Sequence, residues 1–139
     1  MTESDQAQTD RVEGTNGADA VYGAFNLDAE IARFPPDPES VARHRAEILV
    51  KSEDLRVVLV TILKDGTLQE HPAPGPLTIH VLRGALRLGV GERTAELHAG
   101  ELIAIAPHVP YAIEGAADGA FLMTIAELAR QPDPGGHRA

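Results

Sequence analysis

After residue 50 no stretch of this chain sustains a helical period. Short apolar, β-branched runs are cut instead by turn-forming residues at intervals of about 8–12. The run Leu55-Arg-Val-Val-Leu-Val-Thr-Ile-Leu63 is apolar on both faces, as a strand covered on both sides must be, and it ends in the turn Lys64-Asp65-Gly66. Leu77–Leu82 and Leu86–Val90 follow, separated by Arg83-Gly84, and Gly91-Glu92 leads into the alternating Arg93–Leu97. Ala99-Gly100, Pro107–Pro110 and Gly115–Gly119 then delimit Leu102–Ala106, Tyr111–Glu114 and Phe121–Ile125. About eight short strands so spaced predict an all-β sandwich or barrel between residues 46 and 128.

The flanks read differently. Residues 1–24 form an acidic arm: Met1–Ala20 holds Glu3, Asp5, Asp10, Glu13 and Asp19 against Arg11 alone, and Val12 is its only large apolar residue after Met1. Such a segment buries too little surface to offset its ordering entropy and is expected to be disordered. Residues 25–45 form a lead-in in which Leu27, Ile31 and Phe34 share one helical face before Pro35-Pro36 stops the helix. The piece Asp37–His44 reads equally as a helical turn or a loop. The tail 129–139, with Pro132, Pro134, Gly135 and Gly136, is expected to be loose. Composition narrows the function. The 139 residues include no cysteine, which excludes disulfides, thiolate metal sites and a cysteine nucleophile. Twelve basic against 21 acidic residues (net −9), with no Trp, argue against nucleic acid as a partner. No apolar run approaches the roughly 18 residues of a membrane span and no signal-peptide pattern opens the chain, so a cytoplasmic protein with no membrane partner is expected.

Two segments carry a resemblance. The first is Gly66…His71-Pro72-Ala73…Leu77…Gly84, with Val81-Leu82-Arg83-Gly84 running from strand into turn; the second is Gly100-Glu101-Leu102-Ile103-Ala104-Ile105-Ala106-Pro107-His108-Val109-Pro110-Tyr111. Together they resemble the two motifs of the cupin family over about residues 46–127. The resemblance implies a jelly-roll β-barrel with a ligand site in its lumen. In metal-binding cupins three histidines and one glutamate converge there on one cation. On that correspondence His71 stands at the first histidine position, while Ala73, Leu77 and Tyr111 stand at the other three, and His108 takes the place of a turn glycine. One imidazole and one phenol are a poor donor set for a divalent ion, so no metal or other cofactor is expected. The alternative is a reduced site built on His71 that holds iron, zinc or manganese. By strand alternation His80 faces away from the lumen, and Arg83, Arg87 and Arg93 occupy outer positions.

The resulting expectation is a cupin with a degenerate metal site that binds a small apolar or weakly polar molecule, as a sensor or accessory protein. Its pocket would be lined by His71, Ala73, Leu77, Ile79, Val81, Ile105, Tyr111, Ile113, Phe121 and Met123. The competing reading is an enzyme. In it His71 and Tyr111 form a catalytic base–acid pair that moves a proton beside a carbonyl in a metal-free isomerase or cyclase. Because Leu55–Leu63 is apolar on both faces, its outer face must be covered by the N-terminal helix or by a second subunit, and a homodimer formed by sheet packing is expected.

Overall fold

The computed structural model describes residues 20–70 and 72–127, so most of the acidic arm and the tail lie outside the described residues. Among the described residues one short helix, here α1 (Leu27–Arg33), precedes nine strands. These are β1 (His44–Lys51), β2 (Leu55–Ile62), β3 (Thr67–Glu70), β4 (Leu77–Arg83), β5 (Ala85–Val90), β6 (Arg93–His98), β7 (Leu102–Ile105), β8 (Tyr111–Gly115) and β9 (Gly119–Ala126). They form a five-stranded sheet in the order β1-β2-β9-β4-β7 and a four-stranded sheet in the order β3-β8-β5-β6, with antiparallel pairing throughout. This is the expected all-β jelly roll. β1 and β3 add to the strands read from sequence. The piece from Asp37 resolves as turns and bends, held by the Asp37 carboxylate accepting from Glu39 N at 2.9 Å, until His44 opens β1.

The core lies between the sheets and follows from alternation. In β4, Leu77, Ile79 and Val81 are buried while Thr78, His80 and Leu82 are less so; in β8, Tyr111, Ile113 and Gly115 point in. Phe121 of β9 pairs in register with Val60 and Val81, and all three are fully buried. The chain crosses from the first sheet to the second at Gly84, with φ of 77°. A Cβ at Gly84 would lie 2.3 Å from Asp118 O, and one at Gly119 would lie 2.2 Å from Arg83 O, so this corner closes only with glycine on both sides. At the free edge of the larger sheet, β1 is irregular: Ile48 pairs with Val58 and Val50 with Val57, which leaves Leu49 as a bulge outside the ladder.

The outer face of β2 is covered by the chain itself. Asn26 caps α1, its side chain accepting from Ala29 N at 3.0 Å, and Asp28 and Glu30 in the first turn with Arg33 in the last suit the helix dipole. Beyond the helix, Phe34 O accepts from Thr61 Oγ1 at 3.0 Å, and Arg33 and Arg45 each place a guanidinium 4.9 Å from the Phe34 ring centre. Asp28 pairs with Arg83 at 2.8 Å. Leu59 and Thr61 are thereby only 2% and 4% exposed within a single chain. The N-terminal segment is thus a cover of this face within one chain.

The same packing brings two carboxyl groups together. Glu30 and Glu47 each bury one carboxylate oxygen that has no hydrogen-bond partner. Burial first, and the charge of Glu30 second, hold the Glu47 carboxyl above the usual carboxylate range, with Arg33 and Arg45 opposing. A carboxyl whose folded pKa is raised contributes stability that is fully present below its unfolded pKa and lost as pH rises through the folded value. Glu47→Gln should therefore raise Tm by about 2 °C at pH 7–8 and give no gain near pH 4, as read by thermal unfolding across pH. A pH-independent shift would rule out the carboxyl pair as its cause.

Candidate functional site

The nine described residues expected to line the lumen pocket are Ala73, Leu77, Ile79, Val81, Ile105, Tyr111, Ile113, Phe121 and Met123, and all belong to one buried cluster between the sheets. His71, the tenth, lies outside the described residues. Their placement follows from register. Leu77 sits between Ile105 of β7 and Ile125 of β9, while Tyr111 on the opposite sheet sits between Val90 of β5 and Glu70 of β3. Ala73 lies on the β3–β4 connection and is tied to the β7–β8 turn by its carbonyl, which accepts from His108 N at 2.8 Å. His108 has φ of 65°, the conformation of the turn glycine that it was expected to replace.

Three of the four positions at which the resemblance would put metal ligands are among the described residues. Ala73, Leu77 and Tyr111 are 8%, 2% and 5% exposed, packed among aliphatic side chains. Neither Ala73 nor Leu77 has a donor atom, and a neutral phenol is a weak one. The remaining described histidines do not make up the set. His80 is half-buried on the side of β4 opposite Ile79 and Val81; His98 is exposed at a turn, with Nε2 3.4 Å from Glu96 and Nδ1 3.7 Å from Glu101; His44 lies on the edge strand β1. Among the described residues no group of three or more His, Cys, Asp or Glu could hold a metal ion. The described residues do not fit a cupin metal centre.

A hollow of about 580 Å³ lies elsewhere, on the outer face of the four-stranded sheet. Register builds it from two cross-strand rows. Thr67, Glu114, Arg87 and Glu96 lie side by side across β3, β8, β5 and β6, and the next row is Gln69, Ala112, Gly89 and Thr94. The centre of the second row is bare: no heavy atom comes within 4 Å of a Cβ built at Gly89, whose φ is not in the left-handed region. Neither strain nor crowding requires glycine there, although it weakens a strand interior by roughly 0.5–1 kcal/mol relative to alanine. This hollow was not foreseen; an isolated glycine in the run Leu86–Val90 was its one signal in sequence.

Two sheets in this order, closing on an apolar interior, define a jelly-roll barrel of the double-stranded helix type. The family model for the cupin domain matches residues 58–126, from within β2 to the end of β9. The chain belongs to the cupin superfamily. Solved structures agree on the fold. A conserved protein of unknown function from Streptococcus pyogenes matches with TM-score 0.61 at 18% identity, over 66% of this chain and 80% of that one. An RmlC-like cupin from Shewanella frigidimarina matches with TM-score 0.60 at 16% identity, over 78% and 93%. KdgF from Halomonas sp. matches with TM-score 0.61 at 14% identity, over 76% and 94%. No curated protein matches the chain. No helix among the described residues is long and apolar enough to cross a membrane.

Proposed function

We propose that this cupin binds a small, uncharged organic molecule without a metal, at the end of the barrel where Ala73, Leu77 and Tyr111 replace the ligating side chains. The observation that carries this reading is the setting of Tyr111. Among the described residues it is the one hydroxyl-bearing member of the buried core cluster, which otherwise presents aliphatic side chains, Met123 and Phe121. A largely apolar wall with one polar handle selects for shape and a single hydrogen bond rather than for charge. His71, the first histidine position of the resemblance, follows Glu70 in the sequence and is the second polar group in this reading.

The test begins with protein purified without a metal-affinity step. Less than about a tenth of an equivalent of iron, zinc or manganese is expected by elemental analysis, and exhaustive chelation should leave Tm unchanged. A panel of neutral small molecules screened by thermal shift should then yield a binder. Tyr111→Phe should weaken it by about tenfold, the effect of one hydrogen bond. Stoichiometric metal whose removal unfolds the barrel would overturn the proposal. So would binding indifferent to Tyr111→Phe and to His71→Ala alike.

A further inference from the structure

We propose that the outer face of the four-stranded sheet is a two-fold interface between two copies of this chain, in which Arg87 of each meets Glu114 of the partner subunit. On the larger sheet the outer face of β2 is already covered, Leu59 and Thr61 being buried beneath the N-terminal segment. Among the described residues nothing covers the centre of the four-stranded sheet, where Gly89 opens directly into the hollow. A glycine inside a strand, without positive φ and without a crowded Cβ, marks a place where another surface comes close.

The charge pattern specifies which surface. Consider a two-fold axis lying in the interface and running close to the strand direction between β5 and β8. It exchanges β5 with β8 and β6 with β3, and keeps each cross-strand row opposite itself. In the first row Arg87 then faces Glu114 of the partner subunit, and Glu114 faces Arg87 of the partner subunit, while Thr67 faces Glu96 of the partner subunit. In the second row Gly89 faces Ala112 of the partner subunit, and Gln69 faces Thr94 of the partner subunit. Every pairing is complementary: cation with anion, small with small, amide or carboxylate with hydroxyl. Bare Gly89 against Ala112 lets the sheets approach more closely than their usual spacing of about 10 Å, which takes up the hollow. Within one chain the Arg87–Glu114 contact is loose, at 3.5 Å with the two side chains 49% and 44% exposed, so both remain available to a partner. An interface this polar gives a salt-sensitive dimer rather than a permanent one.

Sedimentation equilibrium of the full chain tests the proposal, across protein concentration and at low and high salt. A monomer–dimer equilibrium is expected, with Kd rising at least about tenfold between 50 mM and 500 mM NaCl. Arg87→Glu and Glu114→Arg should each be monomeric alone, because each places like charges across the axis. Mixed in equal amounts they should form a one-to-one heterodimer, since both cross-subunit pairs are then opposite in sign. Gly89→Leu fills the hollow from within; it should be monomeric while keeping or raising Tm, which separates a blocked interface from a damaged fold. Three results would overturn the proposal: a chain monomeric up to about 1 mM, a dimer indifferent to these substitutions, or a small molecule found in the hollow of the monomer by native mass spectrometry.

Discussion

Phe121→Ala is expected to destabilise the barrel by about 3–5 kcal/mol, the cost of a large cavity that its surroundings cannot close. Phe121 is the largest of the fully buried side chains and sits at the centre of the five-stranded sheet, with Val60 on one side and Val81 on the other. β-Branched neighbours on fixed strands have one favoured rotamer each and move little into a void. The loss should appear as a fall in Tm of at least about 12 °C, with an unchanged denaturant m-value. Phe121→Leu, which retains most of the volume, should lose less than half as much. If the alanine variant lost under about 1 kcal/mol, the barrel interior would have to be far less closely packed than the register implies.

The second large effect concerns the corner between the sheets. Gly84→Ala combines a left-handed φ, costing about 1–2 kcal/mol for a residue with a Cβ, with a Cβ placed 2.3 Å from Asp118 O. That atom is backbone and cannot swing aside, so β4 and the turn before β9 must separate. A total loss of about 3 kcal/mol or more is expected. Gly89→Ala is the matched comparison: it is the same substitution within the next strand, with open space around the added atom and no positive φ. It should be neutral or gain up to about 1 kcal/mol. Equal Tm values for the two variants would contradict the geometry of the corner.

What sequence could and could not reveal follows from the same elements. Strands with one face in the core were legible from alternation: Leu77, Ile79 and Val81 were placed correctly, and so was the outward position of His80. Gly84 and Gly100 stand at the turns assigned to them, and both have a left-handed φ. β2 was legible as a covered strand, but being apolar on both faces it could not show which residues fill the barrel; register with β9 puts Val60 and Ile62 there and leaves Leu59 beneath the N-terminal segment. β3 escaped because four residues with one inward leucine carry too little period. β1 escaped because an edge strand bearing Arg45, Glu47 and Lys51 reads as surface. The outer hollow was beyond reach for a different reason. It exists only because Gly89, Ala112 and Thr94, distant in the chain, fall in one row, and cross-strand register is not written in local pattern.

The bulge at Leu49 limits what the barrel can become outside its native state. An open sheet invites a further strand at its margin, and β1 is the margin of the larger sheet. With the ladder broken at Leu49, and Arg45 and Lys51 near either end, an incoming chain can match only a short stretch before its alternation slips against the kink. The irregularity thus blunts this one of the sheet's two edges against the templated addition of strands.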